Sequence, residues 1–242
     1  MTLDLTAFRV LSFDCYGTLI DWEQGIGAVL ADWAREQGLD HSGEALLETY
    51  AGHEAAVMRE HPAWLYPDVL AEAFVRTGSS AGAEVGRDWA RRLGGSVGDW
   101  PAFPDSAEAL ARLRRHYDLV IVSNVHRDGF AGSDAHLRGG FTRIVTAEDV
   151  GAYKPADPHF EALDAVLDEL GCGRDRLLHV AQSLFHDHVP ARRRGLASVW
   201  INRRHGRPGW GATPEPTDEW RYDAEFPSMA AFADEVDRRH GD

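Results

Sequence analysis

Phe13-Asp14-Cys15-Tyr16-Gly17-Thr18-Leu19 is the stretch of sequence that decides the fold. It continues an apolar run that begins at Val10, so an aspartate stands where a buried strand ends, and Gly17 then allows a tight turn. In open α/β sheets the carboxyl ends of the strands form the binding crevice. A carboxylate there can stay ionised and attack an electrophilic carbon or phosphorus. Asp14 is therefore a candidate nucleophile, and the alternative is that it only caps the next element.

Four further short apolar runs, rich in β-branched residues, follow along the chain. None of the runs alternates cleanly between polar and apolar residues, so we predict strands buried on both faces, as in a parallel sheet. Helical stripes lie between them, and this alternation predicts an α/β sheet with right-handed crossovers. The further predicted strands are residues 119–122, 144–145, 177–181 and 198–201.

Capping signals mark the ends of several helices predicted between or after these strands. Asp105, with Glu108 three residues later, predicts a capping box at a helix start. Asp157-Pro158 predicts a second start, and Gly171 the end of that helix. Ser228 is predicted to cap a final helix.

The alternation of predicted strands and helices is interrupted over residues 21–98. These residues offer helical stripes and no convincing strand, which predicts an all-helical insertion after the first strand. The segment 100–104, bracketed by two prolines, is the predicted return linker, and the polar stretch 203–223 is a predicted loop.

Composition excludes several classes of protein. The formal net charge of −14 argues against nucleic-acid binding, which needs an excess of Lys and Arg. No apolar run is long enough to span a membrane, and the amino terminus has no basic region typical of a signal peptide. Two cysteines are too few for a disulfide framework. We therefore expect a cytoplasmic protein without nucleic-acid or membrane partners.

Polar residues follow three other predicted strands. Ser123-Asn124 could donate hydrogen bonds to an oxyanion or carboxylate, and Lys154 could keep an aspartate ionised and in place. Asp187 could position or activate a water molecule. Each has a structural alternative, as a turn, a surface lysine or a helix cap. Four such residues in order favour a catalytic site.

With these motifs the sequence resembles the haloacid dehalogenase superfamily: Asp-x-x-Gly-Thr at Asp14, then Ser123-Asn124, Lys154-Pro155 and the distal Asp187. The resemblance covers nearly the whole chain. It implies a Rossmann-like core formed by residues 1–20 and 99–242, with residues 21–98 as an inserted helical cap domain.

One position separates the subfamilies. Phosphatases of the superfamily carry an aspartate two residues after the nucleophile to protonate the leaving oxygen, and this sequence has Tyr16 there. The Asp-x-Tyr-Gly-Thr form resembles the L-2-haloacid dehalogenase group, whose halide leaves without a proton. The resemblance then implies that Lys154 holds Asp14 and that Asp187 lines the water site with Ser183. Tyr16 would border the leaving-group pocket, and Ser123 and Asn124 would hold the substrate.

Two features depart from that group. Its members place an arginine on the cap, whereas the matching residues 44–48 contain none. Arg59 could replace it, or could be a solvated surface arginine. The fourth motif, Gln182 to His188, is one residue longer than in the best-known members.

Two further patterns have structural alternatives. His186-Asp187-His188 could suggest zinc, but adjacent side chains point different ways and no further ligand is evident. The aromatic residues Trp22, Trp64 and Tyr66 could line a substrate pocket, or could only pack within the helical insertion.

The resulting hypothesis is a hydrolase that forms an aspartyl ester with a small 2-substituted carboxylic acid, in particular a 2-haloacid, and needs no cofactor. One alternative is a Mg²⁺-dependent phosphatase with Asp14, the Tyr16 carbonyl and Asp187 as ligands. Another is a non-catalytic binder. Related dehalogenases are often dimers, so the resemblance also implies a homodimer as one assembly.

Overall fold

The fold is built on one six-stranded parallel sheet. The computed structural model describes residues 3–40, 43–207, 213, 215 and 219–241. The strands are β1 Val10–Phe13, β2 Asp118–Ser123, β3 Arg143–Thr146, β4 Leu177–Ala181, β5 Ala197–Ile201 and β6 Ala224–Phe226. They lie in the order β3-β2-β1-β4-β5-β6, and every neighbouring pair is parallel.

The five predicted strands are confirmed, and the sheet explains their unbroken apolar runs. Every residue of β1 and β4 is buried. Alternate side chains of a strand face opposite sides of the sheet, so Leu11 and Phe13 join one apolar cluster and Val10 joins another. The sixth strand, β6, is a three-residue edge strand without an apolar run, so its sequence does not predict it.

Ten α-helices surround the sheet within the described residues. None of these helices is long and apolar enough to cross a membrane. They are α1 Trp22–Glu36, α2 Gly43–Glu60, α3 Tyr66–Ser80, α4 Arg87–Gly94, α5 Ser106–Leu113, α6 Arg127–Leu137, α7 Ala147–Val150, α8 Pro158–Glu169, α9 Val189–Arg193 and α10 Met229–His240.

The predicted helix boundaries hold, but one predicted cap is wrong. Ser228 accepts a hydrogen bond from the backbone N–H of Ala231 and so caps α10. Asp105 precedes α5 as predicted but makes no capping bond. Its carboxylate instead accepts two bonds from Arg203, at 2.8 and 2.9 Å. Asp105 binds the Arg203 guanidinium and does not cap the helix, because an ionic hydrogen bond is stronger than one from a neutral backbone N–H.

The segment between β1 and β2 is helical, as predicted. It contains α1 to α4, and no strand occurs in the described residues 21–40 and 43–98. Trp33 of α1 packs edge-on against Phe74 of α3, with ring centroids 5.3 Å apart. The fold is therefore a Rossmann-like sheet with a helical cap, while the boundaries at residues 21 and 98 stay a prediction.

The two connections between cap and sheet run side by side. Ile20 and Ala102 form an antiparallel bridge. Asp21 donates its backbone N–H to the carbonyl of Pro101 at 2.8 Å. The predicted return linker, residues 100–104, therefore lies against the outgoing one. The predicted loop 203–223 lies partly outside the described residues.

Gly132 of α6 packs closely against the backbone of Gly98, near the junction with the cap. A Cβ at Gly132 would lie 2.5 Å from the Cα of Gly98, which is backbone and cannot rotate away. We expect Gly132→Ala to lower the free energy of unfolding by about 1–3 kcal/mol through overpacking, measured by urea denaturation. Gly27→Ala in α1 is the matched control, because nothing lies within 4 Å of its Cβ. The control should stabilise by up to about 1 kcal/mol, and equal effects of the two variants would contradict the packing argument.

Candidate active site

The polar residues predicted at strand ends meet at the carboxyl edge of the sheet. Asp14 follows β1 and Asp187 follows β4, the two strands between which the sheet order reverses. Asn124 follows β2, and Lys154 follows the short helix α7 after β3. In open α/β sheets this reversal point opens the crevice in which ligands bind.

Lys154 lies at the centre of the site and is almost completely buried, with 1% of its side chain exposed. Its Nζ donates to Asp14 Oδ1 at 2.9 Å, to Asp187 Oδ1 at 2.7 Å and to the carbonyl of Val122 at 2.8 Å. An ammonium has three N–H donors, and all three are used. Lys154 is also the only lysine among the 25 lysine and arginine residues of the chain.

The two carboxylates share this one cation and respond differently to it. Burial raises the pKa of Asp14, assisted by the charge of Asp187 and opposed by Lys154 and by a 2.7 Å hydrogen bond from Thr18. Burial acts on Asp187 in the same sense, but there Lys154 and His179 outweigh it and hold its pKa well below the usual range. Asp187 is thus the more strongly stabilised anion of the pair.

A buried chain of hydrogen bonds supports Asp187 from below. His179 Nε2 lies 3.1 Å from Asp187 Oδ1, and His179 Nδ1 lies 2.8 Å from the hydroxyl of Ser12. A carboxylate can only accept, so Nε2–H donates to Asp187. The other oxygen, Asp187 Oδ2, is buried and has no hydrogen-bond partner among the described residues.

Asn124 has a role that the sequence analysis does not predict. Its side-chain Oδ1 accepts the backbone N–H of Lys154 at 2.6 Å, and its Nδ2 donates to the carbonyl of Lys154 at 3.2 Å. The amide thereby holds the backbone that carries the lysine. Ser123 is fully buried, lies outside the cavity wall and has no partner for its Oγ in the described part of the chain. As the last residue of β2 it still belongs to the packed sheet, so the prediction that it holds substrate is not supported.

Tyr16 forms one side of the site without offering a proton. Its hydroxyl is bonded to Ser133 of α6 at 2.9 Å, and its ring packs edge-on against Trp100. Burial raises the pKa of Tyr16 well above its usual value. A phenol so placed is a poor acid near neutrality.

The fourth motif forms a π-helix over Leu184–His188, a wider turn that absorbs an additional residue. Ser183 precedes it and accepts the backbone N–H of His186 at 3.0 Å. Burial lowers the pKa of His186 to about 4, so this ring is neutral. The rings of His186 and His188 diverge: His188 is bonded to the Ala181 carbonyl and to Ser198.

The two carboxylates that could hold a divalent metal already share one cation. The two carboxylates named for the phosphatase alternative, Asp14 and Asp187, are both bonded to the Lys154 ammonium. A second cation between them would be repelled by Nζ. Within the described residues no group of three His, Cys, Asp or Glu side chains could hold a metal ion.

Helices α2 and α3 of the cap close the site from above. The cavity between cap and sheet measures about 70 Å³, several times what one ordered water needs, which suits a small molecule. The predicted site residues that line it are Asp14, Tyr16, Asn124, Lys154, Ser183 and Asp187. The cap contributes Ala51, Glu54, Ala55, Met58 and Tyr66, together with Trp22 at the start of α1.

Arg59 does not reach this cavity. It is exposed on α2, immediately after the cavity residue Met58, so the structure does not place it at the site and its role in binding substrate stays a prediction. Neighbouring residues of a helix point about 100° apart, which turns Arg59 to solvent. The pocket interpretation is right for Trp22 and Tyr66 and wrong for Trp64, which is exposed and stacked on His61.

Three residues contribute to the site without having been predicted from the sequence. Thr18 belongs to the opening motif but is not assigned its bond to Asp14. His179 is a polar residue inside an apolar strand, and this anomaly could have identified it. Glu54 is an acid within an apolar helical stripe formed by Ala51, Ala55 and Met58, which is the same kind of signal.

Comparisons with known proteins agree with this geometry at the level of the family. A family model described as haloacid dehalogenase-like hydrolase matches residues 8–181. A phosphoglycolate phosphatase of Pectobacterium atrosepticum is 30% identical over 200 residues, 81% of each chain. An (S)-2-haloacid dehalogenase of Pseudomonas sp. strain YL is 33% identical over 102 residues, 41% of each chain.

The fold is also similar to solved structures. The L-2-haloacid dehalogenase of Xanthobacter autotrophicus, solved with chloropropionic acid covalently bound, superposes with a TM-score of 0.75. The match covers 95% of this chain and 98% of that one at 18% sequence identity. This likeness establishes the architecture of sheet and cap.

Proposed function

This chain belongs to the haloacid dehalogenase-like hydrolase family, and on that premise we propose that it hydrolyses small 2-substituted carboxylic acids, in particular 2-haloacids, through an ester of Asp14. The observation that carries the proposal is the buried Asp14–Lys154–Asp187 arrangement facing a small cavity. Family membership makes the chain an enzyme, so the non-catalytic alternative is set aside.

In the first step an oxygen of Asp14 attacks C2 of the substrate. The new C–O bond forms as the carbon–halogen bond breaks, and the halide leaves with the bonding electrons. No proton is needed, which suits a site where Tyr16 cannot supply one. Lys154 and Thr18 hold the attacking carboxylate in place, and such positioning gives a large effective-molarity advantage.

In the second step water attacks the carbonyl carbon of the Asp14 ester. The bond between this carbon and the ester oxygen then breaks. One proton of the water passes to the departing oxygen, which gives the 2-hydroxy acid, and the other leaves to solvent as the carboxylate of Asp14 is restored. The unpartnered Oδ2 of Asp187 can accept a hydrogen bond from this water. Because the pKa of Asp187 is lowered, its role is to orient the water rather than to keep the proton.

The phosphatase alternative rests on the phosphoglycolate phosphatase relative, which matches a larger share of the chain than the dehalogenase does. Against it stand Tyr16 in place of an acid and a pair of carboxylates already bonded to Lys154. The two reactions differ in their need for Mg²⁺, so this need separates them.

We expect halide release from 2-chloropropionate to be unchanged within about twofold after exhaustive EDTA treatment, because a halide carries its own charge away. Chloride release is measured at pH 6.5 with and without added Mg²⁺, beside phosphate release from phosphoglycolate. Asp14→Asn provides the background rate. Phosphate release that rises a hundredfold or more with Mg²⁺ would instead support the phosphatase.

A further inference from the structure

Helix α2 lines the cavity with apolar side chains and one carboxyl group. Ala51, Glu54, Ala55 and Met58 lie on one face of α2, at the helical spacing that brings side chains together. Glu54 is half-buried, and its Oε1 accepts the hydroxyl of Tyr66 at 2.9 Å. Its Oε2 has no hydrogen-bond partner in the described part of the chain, and the residue lines the cavity.

The charges around the cavity offer a substrate carboxylate no cation with an unused donor among the described residues. Lys154 is the single cation among the described residues that line it, and its three donors are already used. Asp14 and Asp187 are anions on the same side. An ionised Glu54 on the opposite wall would add a third negative charge, whereas a protonated Glu54 would add a hydrogen-bond donor.

The surroundings of Glu54 favour the protonated form near neutrality. Burial raises the pKa of Glu54 to about 7, opposed only by the hydrogen bond from Tyr66. The nearby tyrosines Tyr16, Tyr50, Tyr66 and Tyr153 all have raised pKa values and are neutral. The other titratable groups that line the cavity are Asp14, Lys154, His186 and Asp187.

We propose that protonated Glu54 is the substrate-binding group of the cap, donating a hydrogen bond from its free oxygen to the carboxylate of a small organic acid. The class of ligand, a small organic acid, rests on the proposed function. This assignment makes Glu54 a specificity residue with two states. The protonated state accepts an anionic acid, and the ionised state rejects it by charge repulsion across the small cavity. A neutral amide of the same shape is accepted by both states.

The direction in which the Kd changes with pH follows from the need for a protonated Glu54 as donor. Only the protonated form binds the anion, and above its pKa that form falls tenfold with each pH unit. Between pH 6.5 and 8.5 the Kd of an anionic ligand should therefore rise about twentyfold. By linkage, binding of the anion at pH 8.5 should take up about one proton.

The test is titration calorimetry with propionate and propionamide, which carry no leaving group and are not turned over. Propionate stays ionised over this pH range, as ordinary carboxylates do. For the wild-type protein we expect the twentyfold rise in Kd for propionate, one proton taken up, and no pH dependence for propionamide. For Glu54→Gln we expect propionate to bind with a Kd that does not change with pH, because the amide is neutral and still donates.

Glu48→Gln is the matched control, since Glu48 is exposed on the same helix and should leave the wild-type behaviour intact. The proposal is overturned if propionate fails to bind at pH 6.5, if its Kd is flat in the wild type, or if Glu54→Gln keeps the wild-type slope. The last result would assign the proton to Asp14 or another cavity group. These measurements need no turnover, so they stand if no halide is released, and halide release without this pH dependence would leave the proposed reaction intact.

Discussion

Replacement of Lys154 by methionine is expected to lower kcat/KM for 2-chloropropionate by about a thousandfold or more. Removing one preorganised donor from an active site typically costs about 2.7–4 kcal/mol of transition-state stabilisation, and 4 kcal/mol corresponds to roughly a thousandfold in rate. Without Nζ, Asp14 and Asp187 lose their shared cation inside the protein. The pKa of each carboxyl then rises, and a protonated Asp14 is a poor nucleophile.

The same change predicts a pH-dependent loss of stability. In the methionine variant the two carboxyls have raised pKa values in the folded state, so folding is favoured at low pH and weakened as pH rises through those values. Urea denaturation should therefore show the variant closer to wild type at pH 5 than at pH 8. This result would show that the activity is lost through charge rather than through a cavity.

Lys154→Arg is the informative control for geometry. A planar guanidinium keeps the charge but cannot direct three donors to Asp14, Asp187 and the Val122 carbonyl as an ammonium does. We expect it to lose activity by at least about a hundredfold. If either variant folds and stays within a few-fold of wild type on 2-chloropropionate, Lys154 does not hold the nucleophile.

The second large effect concerns Asp14 itself: single turnover in H₂¹⁸O should place heavy oxygen in the side chain of Asp14 and leave the product unlabelled. Two routes yield the same 2-hydroxy acid. Either Asp14 attacks C2, or water attacks C2 with Asp14 as general base. In the ester route water attacks the Asp14 carbonyl, so the product receives an old carboxylate oxygen.

The geometry of Asp14 favours the ester route. Lys154 and Thr18 each bond one of its oxygens, which fixes the carboxylate at the cavity wall. The measurement is mass spectrometry of the peptide that contains Asp14 and of the released acid. Asp14→Asn should show no turnover above background, but this variant alone cannot distinguish the routes. Heavy product with an unlabelled Asp14 peptide would establish the general-base route.

Much of the fold could be predicted from the sequence because its signals are local. Runs such as Val10–Phe13 lack any polar alternation, and only a sheet covered on both faces buries every residue of such a strand. The catalytic candidates Asp14, Lys154 and Asp187 could be predicted for a related reason. The carboxyl ends of parallel strands share one edge, so polar residues just beyond them meet there.

The short strand β6 shows where local signals end. Ala224–Phe226 carries no pattern of its own and becomes a strand by pairing with β5 at the edge of the sheet. Asn124 is a second example. Its motif predicts a polar group at the site, but its partner is the backbone of Lys154, a contact between residues 30 positions apart.

Glu54 and Arg59 mark most clearly what only the tertiary structure decided. Both lie on α2, and the sequence placed the expected charged group at Arg59. The packing of α2 against α1 and α3 turns the face of Ala51, Glu54 and Met58 to the cavity and leaves Arg59 in solvent. The sequence by itself determined five of the six strands, the helical cap and the strand-end residues, because the burial pattern and the end of a strand depend on neighbouring residues in the sequence. The rotation of a helix about its axis depends on contacts with distant segments, so the structure alone decided which cap residue faces Asp14.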